Sequence, residues 1–193
     1  MTLPTDRRQL LFLLAGGRPG GNTEALARHA AAHLPEDAST TWLHLDDSPL
    51  PAFRDDRHTD GAARTPTGGE LALLEATLAC TDLVIASPVY WGGLAAPAKL
   101  YLDHVVGWVR LPGVDLRARM RERTLWGVGV LNGPGLADAQ PMVDMLESAA
   151  DYLDMRFGGV LLGNGDRPGE VLADAPALER AERFFAGASA EPV

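Results

Sequence analysis

The stretch Ala86-Ser87-Pro88-Val89-Tyr90-Trp91-Gly92-Gly93-Leu94-Ala95-Ala96-Pro97-Ala98-Lys99 decides how the rest of the chain is read. It is entered from Asp82-Leu83-Val84-Ile85-Ala86, a short apolar run of the kind that forms a strand buried on both faces. It is left through Pro97, which suits the first turn of a helix because proline has no N–H to lose there. A turn carrying Tyr, Trp and two glycines therefore sits between the carboxyl end of a strand and the start of a helix. In open α/β sheets that edge is where ligands bind. Gly92 and Gly93 let the backbone approach a flat molecule, and Tyr90 and Trp91 offer aromatic faces. N–H groups on such a turn can hydrogen-bond a heteroaromatic ring. The same residues would also suit a plain strand–loop–helix connection with a packed Trp.

Upstream, Arg8 to Ala15 reads as a first buried strand, followed by the loop Gly16-Gly17-Arg18-Pro19-Gly20-Gly21-Asn22-Thr23. A helix comes next, with Leu26, Ala27, Ala30, Ala31 and Leu34 on one face, Asn22 or Thr23 as its cap, and Pro35 as its stop. A glycine-rich loop feeding a helix N-terminus is an anion site, because free N–H groups and the positive dipole end coincide there. Arg18 adds a forked cation that suits phosphate. The loop is neither a Walker A sequence nor the dinucleotide Gly-x-Gly-x-x-Gly pattern. Read without a ligand, it is a glycine-rich turn.

Further elements follow in alternation. Thr40 to Leu45 reads as a second strand, Gly69 to Ala79 as a helix, and Pro97 to Trp108 as another. Thr124 to Leu131 reads as the fourth strand, leaving through Asn132-Gly133-Pro134-Gly135. A helix stripe at Met142, Leu146, Ala149, Ala150 and Leu153, a strand at Phe157 to Leu162 and a helix at Asp174 to Ala186 complete the chain. Strands alternating with helices imply a parallel sheet covered on both faces. No repeat or low-complexity linker interrupts residues 1–193, so one domain is expected. Asp46 to Gly69 is the longest irregular stretch, and a loop of that length is usually functional.

Composition narrows the function. The formal net charge is −9, and no basic stripe of the kind that holds nucleic acid is present. The run Arg117-Ala118-Arg119-Met120-Arg121-Glu122-Arg123 reads as a solvated loop or helix face. The apolar runs are strand-length, too short to span a membrane, and the N-terminus lacks the form of a signal peptide, so a cytoplasmic protein is expected. One cysteine, Cys80, allows neither an internal disulfide nor a cysteine-ligated iron–sulfur cluster. His29 and His33 have the spacing of a helical metal pair, but no Glu or third ligand accompanies them in a metalloprotease pattern, so they read as a polar helix face and no metal is assigned. Lys99 and Asp103 are placed for a structural helix pair. No side chain is placed for covalent catalysis.

The segment Ser87-Pro88-Val89-Tyr90-Trp91-Gly92-Gly93, followed by Pro97-x-Lys99 and Asp103, resembles the second flavin-binding segment of the flavodoxin-like NAD(P)H-dependent FMN reductases. Arg18, Gly21, Asn22 and Thr23 match that family's phosphate loop, and Leu50-Pro51-Ala52-Phe53-Arg54-Asp55-Asp56 resembles its segment after the second strand. Two positions depart: Ala15 stands in place of glycine and Gly16 in place of serine. The lost hydroxyl removes a phosphate donor, of order 1 kcal/mol.

The resemblance implies a flavodoxin-like three-layer α/β sandwich with a five-stranded parallel sheet in the order 2-1-3-4-5. It implies FMN held by Gly16, Arg18, Gly21, Asn22 and Thr23 at the phosphate, by Pro88, Val89, Tyr90, Trp91, Gly92 and Gly93 at the ring, and by Asn132, Gly133 and Gly135 at the ring edge. NADPH or NADH would donate electrons, and a quinone, azo compound or free flavin would accept them. A homodimer is expected, with the loop 46–69 reaching a partner or covering the flavin, and its Arg54, Arg57 and Arg64 suiting a 2′-phosphate or facing water. A non-enzymatic electron carrier, which the acidic charge would suit, and a module that has lost its flavin are the alternatives.

Overall fold

A computed structural model describes residues 7–55, 64–133 and 135–186. Its strands are β1 (Gln9–Leu14), β2 (Ser39–His44), β3 (Asp82–Tyr90), β4 (Gly93–Leu94), β5 (Thr124–Leu131) and β6 (Arg156–Asn164). Its helices are α1 (Asn22–Ala31), α2 (Gly68–Ala79), α3 (Ala96–Trp108), α4 (Leu116–Met120), α5 (Gln140–Tyr152) and α6 (Ala175–Phe184). The main sheet runs β2-β1-β3-β5-β6, all parallel, so the expected order holds once the short β4 is set aside. The sheet has six strands rather than five. β4 pairs antiparallel with the end of β3, inside what the sequence reads as a loop.

Strand periodicity sorts the core. In β1 and β3, Leu11, Leu13, Leu83 and Ile85 face α2, α3, α4 and α5. Their neighbours Leu10, Phe12, Leu14, Val84 and Ala86 face α1 and α6. Both faces are apolar, which is why these strands read as continuous hydrophobic runs. Cys80 is buried, and burial pushes its thiol up to about 12, so it packs as a small apolar group.

Three polar clusters fasten the layers. At the start of β3, Asp82 accepts from Arg8 at 2.6 Å and from the Trp126 Nε1 at 2.9 Å. On the α2–α3 side, the buried Glu70 takes hydrogen bonds from His104 (2.9 Å) and Trp108 (3.1 Å) and an ion pair from Arg64. His104 also reaches the Pro51 carbonyl at 2.8 Å. The arginine run forms a solvated helix face, as expected: Arg117, Arg119 and Arg121 are exposed, Arg117 and Arg121 pair with Asp154 at the surface at 2.7 and 3.5 Å, and Arg123 turns inward to donate to the Leu78 and Cys80 carbonyls. No helix of the described residues is long and apolar enough to cross a membrane.

The described part of the long loop lies on α3. Leu50 packs against the core, and Phe53 meets His104 edge-on at 5.6 Å. Arg64 is spent on Glu70. Arg57, Asp56 and Pro134 lie outside the described residues.

Candidate functional site

β1 and β3 are neighbours, and their chains leave to opposite sides of the sheet, so a crevice opens at their carboxyl ends. The Ala15 N–H donates to the Ala86 carbonyl at 2.8 Å and closes the crevice floor. Above it lies a cavity of about 700 Å³. Its walls are the loop before α1, the end of β3, Asn132 after β5 and Gly165-Asp166 after β6.

The loop wall is basic at one end. Gly21, not Asn22 or Thr23, is the N-cap of α1, and no side chain caps the helix. The first helical N–H to find a backbone acceptor is that of Ala25; among the described residues those of Asn22, Thr23 and Glu24 find none. Arg18 lines the same end, exposed and without an ion pair among the described residues. Free N–H groups, the helix dipole and an uncommitted guanidinium thus converge, which is what a phosphate requires. Glu24 also lines the cavity. Burial works against its ionisation, but the Gly20 N–H at 2.7 Å and Arg28 at 2.7 Å hold its carboxyl below the usual range. Arg28 in turn stacks over Trp42 at 4.3 Å.

The Asn22 side chain is not aimed at the cavity. Its amide donates to the Arg167 carbonyl and its oxygen accepts from the Gly169 N–H, both at 2.8 Å. Asn22 therefore serves the site through its backbone and ties α1 to the loop after β6.

The opposite wall is a tight hairpin. Tyr90 pairs with Gly93 across the two-residue turn Trp91-Gly92, and both turn residues have positive φ, +54° and +78°. That is the handedness a two-residue hairpin needs. Trp91 is fully exposed at the tip and Tyr90 is 60% exposed. Two bonds moor the hairpin: the Ser87 hydroxyl accepts from the Ala95 N–H at 2.9 Å, and the Gly92 carbonyl accepts from the Met142 N–H at 3.0 Å. Gly92 is confined twice, by its φ and by the Asp138 carbonyl, 2.9 Å from where a Cβ would stand. Gly92→Ala costs about 1–2 kcal/mol in backbone conformation alone. The expected result is a melting temperature lowered by about 2–8 °C, with ligand affinity reduced as well. A melting curve beside a flavin titration checks it.

Ten of the expected residues line the cavity: Gly16, Arg18, Gly21, Asn22, Thr23, Pro88, Val89, Tyr90, Trp91 and Asn132. Gly92, Gly93, Gly133 and Gly135 do not. Gly92 and Gly93 shape the hairpin behind the wall, and the Gly133 carbonyl accepts from Asn164. His44, Glu24, Gly165 and Asp166 line the cavity without having been expected. His44 and the 165–166 pair follow β2 and β6, so their signal was position at the carboxyl edge rather than any motif. None of the described residues of the loop 46–69 lines the cavity. Ser87 is buried and fully bonded, and no cysteine lies at the cavity. The walls offer binding and orientation, with no protein nucleophile among the described residues.

A cavity with a basic end, a short aromatic wall and room for a mononucleotide fits FMN. The comparisons agree with that chemistry. Residues 9–157 match the sequence pattern described as NADPH-dependent FMN reductase. A Bacillus subtilis (strain 168) protein named an NAD(P)H-dependent FMN-containing oxidoreductase, YwqN, is 29% identical over 178 residues, 92% of this chain and 96% of that one. The structure titled Trp repressor binding protein from Bacillus subtilis is 26% identical with a TM-score of 0.72, covering 91% of this chain and 97% of that one. An NAD(P)H:quinone oxidoreductase from Methanothermobacter marburgensis, 15% identical, shares the fold with a TM-score of 0.70 over 97% of this chain and 98% of its own.

Proposed function

The chain belongs to the NADPH-dependent FMN reductase family and is an NAD(P)H-dependent FMN oxidoreductase; on that premise we propose that it reduces a small planar acceptor, a quinone, azo compound or free flavin, in the cavity between β1 and β3. The observation that carries this reading is convergence. The uncapped start of α1 with Arg18, and the Tyr90-Trp91 hairpin, come from distant parts of the sequence and wall one cavity.

When bound, FMN supplies the two-electron chemistry, taking a hydride equivalent from NAD(P)H and passing it on. The residues of this chain bind and orient. Arg18 and the N–H groups of Asn22, Thr23 and Glu24 would hold the phosphate. Pro88, Val89, Tyr90, Trp91 and Asn132 would bound the ring. Gly92, Gly93 and the bond from Ala95 to Ser87 keep the hairpin in place.

Tyr90 and Trp91 leave a large apolar surface uncovered at the cavity mouth, which supports a homodimer in which a second copy covers them. A cytoplasmic location suits a single buried cysteine and an NAD(P)H donor. A monomeric scattering mass with flavin retained would remove the dimer.

The test is anaerobic. The protein is loaded with FMN, freed of excess, and mixed with NADPH or NADH. Retained yellow colour that bleaches within seconds to minutes is expected, and the faster nucleotide is the donor. Colour that neither nucleotide bleaches would favour the electron carrier, and a folded protein that retains no flavin would overturn the site.

Gly16 provides a second check. A Cβ there would meet nothing nearer than the Arg18 carbonyl at 3.7 Å, so serine fits. Gly16→Ser is expected to tighten FMN about fivefold, the equivalent of one added donor at about 1 kcal/mol. Unchanged affinity would mean that the phosphate does not lie over Gly16.

A further inference from the structure

We propose that His29, His33 and Glu182 form a binding site for a divalent d-block cation of the Zn²⁺ class, which clamps α6 onto α1 at the end remote from the flavin cavity. One nitrogen from each imidazole and one carboxylate oxygen of Glu182 lie within 4.8 Å of one another. The sequence holds the two histidines four residues apart, while the carboxylate that joins them comes from about 150 residues later. The fold supplies it, because α6 packs along α1.

The imidazoles are prepared for metal. The His33 Nδ1 faces the His29 carbonyl at 3.0 Å. A carbonyl only accepts, so Nδ1 carries the hydrogen and Nε2 presents a bare lone pair. A ligating histidine typically donates its other N–H to a carbonyl or carboxylate in this way. The two rings stand 5.2 Å apart, centroid to centroid. His29 Nε2 is buried with no hydrogen-bond partner, an unusual state for a polar atom and one that a ligand would relieve. Beside Glu182, Arg183 is engaged with Glu179 at 3.3 Å. Glu182 itself makes no ion pair among the described residues.

Two histidines and a glutamate are a donor set for zinc with one position left to water. Tetrahedral bonds of about 2.0–2.2 Å place donors roughly 3.4 Å apart. Rotation of the exposed His33 and Glu182 side chains supplies the closure. His29 lies about 10 Å along α1 from Asn22 at 1.5 Å per residue, and His33 follows the far end of that helix, so the metal would not touch the flavin. Its effect is to join two helices of one layer, and a cation held by the folded chain alone raises stability.

The test uses the untagged full-length chain, treated with EDTA and titrated with ZnCl₂ by calorimetry and by thermal melting, with and without FMN. One equivalent is expected to bind with micromolar affinity and to raise the melting temperature by several degrees in both forms. His33→Gln and Glu182→Gln should each weaken binding about tenfold or more and abolish the rise. Both should keep the wild-type melting temperature in EDTA, because both residues are exposed. Binding of equal affinity and stoichiometry in the wild type and both variants would overturn the proposal, as would a melting temperature that zinc does not raise.

Discussion

Arg18→Ala raises the FMN dissociation constant by about 10- to 150-fold and leaves the melting temperature of the flavin-free protein unchanged. The first half follows from charge. A hydrogen bond to a charged group contributes about 1.5–3 kcal/mol, and a phosphate dianion at an uncapped helix start draws on Arg18 for its only guanidinium at that wall. The second half follows from exposure, since Arg18 makes no ion pair among the described residues that the fold would lose. Arg18→Lys should recover part of the affinity, because an ammonium keeps the charge but not the two-pronged geometry. Flavin fluorescence titrations of the three proteins measure this directly. Equal constants for wild type and Arg18→Ala would place the phosphate elsewhere in the cavity.

Glu70→Ala should be the most damaging of these changes to stability. Three donors converge on one buried carboxylate, and removing it strands the His104 and Trp108 N–H groups in the interior and frees Arg64. Breaking a buried charged cluster by deleting one member costs about 3–5 kcal/mol, which corresponds to a melting temperature lower by roughly 6–20 °C. The same cluster gives a pH signature. Burial pushes the Glu70 carboxyl up, but the Trp108 N–H, Arg64 and His104 together hold it below the ordinary glutamate value. A carboxyl lowered in the folded state stabilises fully above the unfolded pKa, about 4.3, and loses that contribution as pH falls through the lower folded value. The wild type should therefore lose melting temperature more steeply than Glu70→Gln below about pH 4.3. Parallel curves would show that Glu70 is not charged in the native protein.

These results bear on what the chain's letters disclose. The central strands β1, β3 and β5 were legible because both faces of the sheet are covered there and each is a nearly unbroken apolar run, and the edge strand β2 was legible by its alternation. The phosphate loop and the aromatic segment were legible because glycine, arginine and aromatic residues stand beside such runs. The β3–β4 hairpin was not, because Trp91-Gly92 lacks the Asn-Gly or Asp-Gly signature of its turn type, and tertiary bonds from Ala95 and Met142 hold Trp91 at a positive φ. The cap of α1 was misplaced for a related reason. Asn22 is a good capping residue, but its amide is claimed by Arg167 and Gly169 from the far end of the chain. The Glu70 cluster joins residues dozens of positions apart, and no local pattern marks such a meeting.

The Asn22 tether also fixes when the protein can acquire its cofactor. The loop that would grip the phosphate, residues 16–23, is translated well before its anchor. The residues that hold its helix, Arg167 and Gly169, and the α6 surface packed beside it follow it by about 145 residues or more. At about 5–20 residues per second, roughly 7–30 s of synthesis separate the two. A nascent chain exposes the glycine loop without its anchor throughout that interval. Flavin uptake thus waits for residues 167–169 to reach α1, and a ribosome stalled before residue 165 should display a chain that ignores FMN.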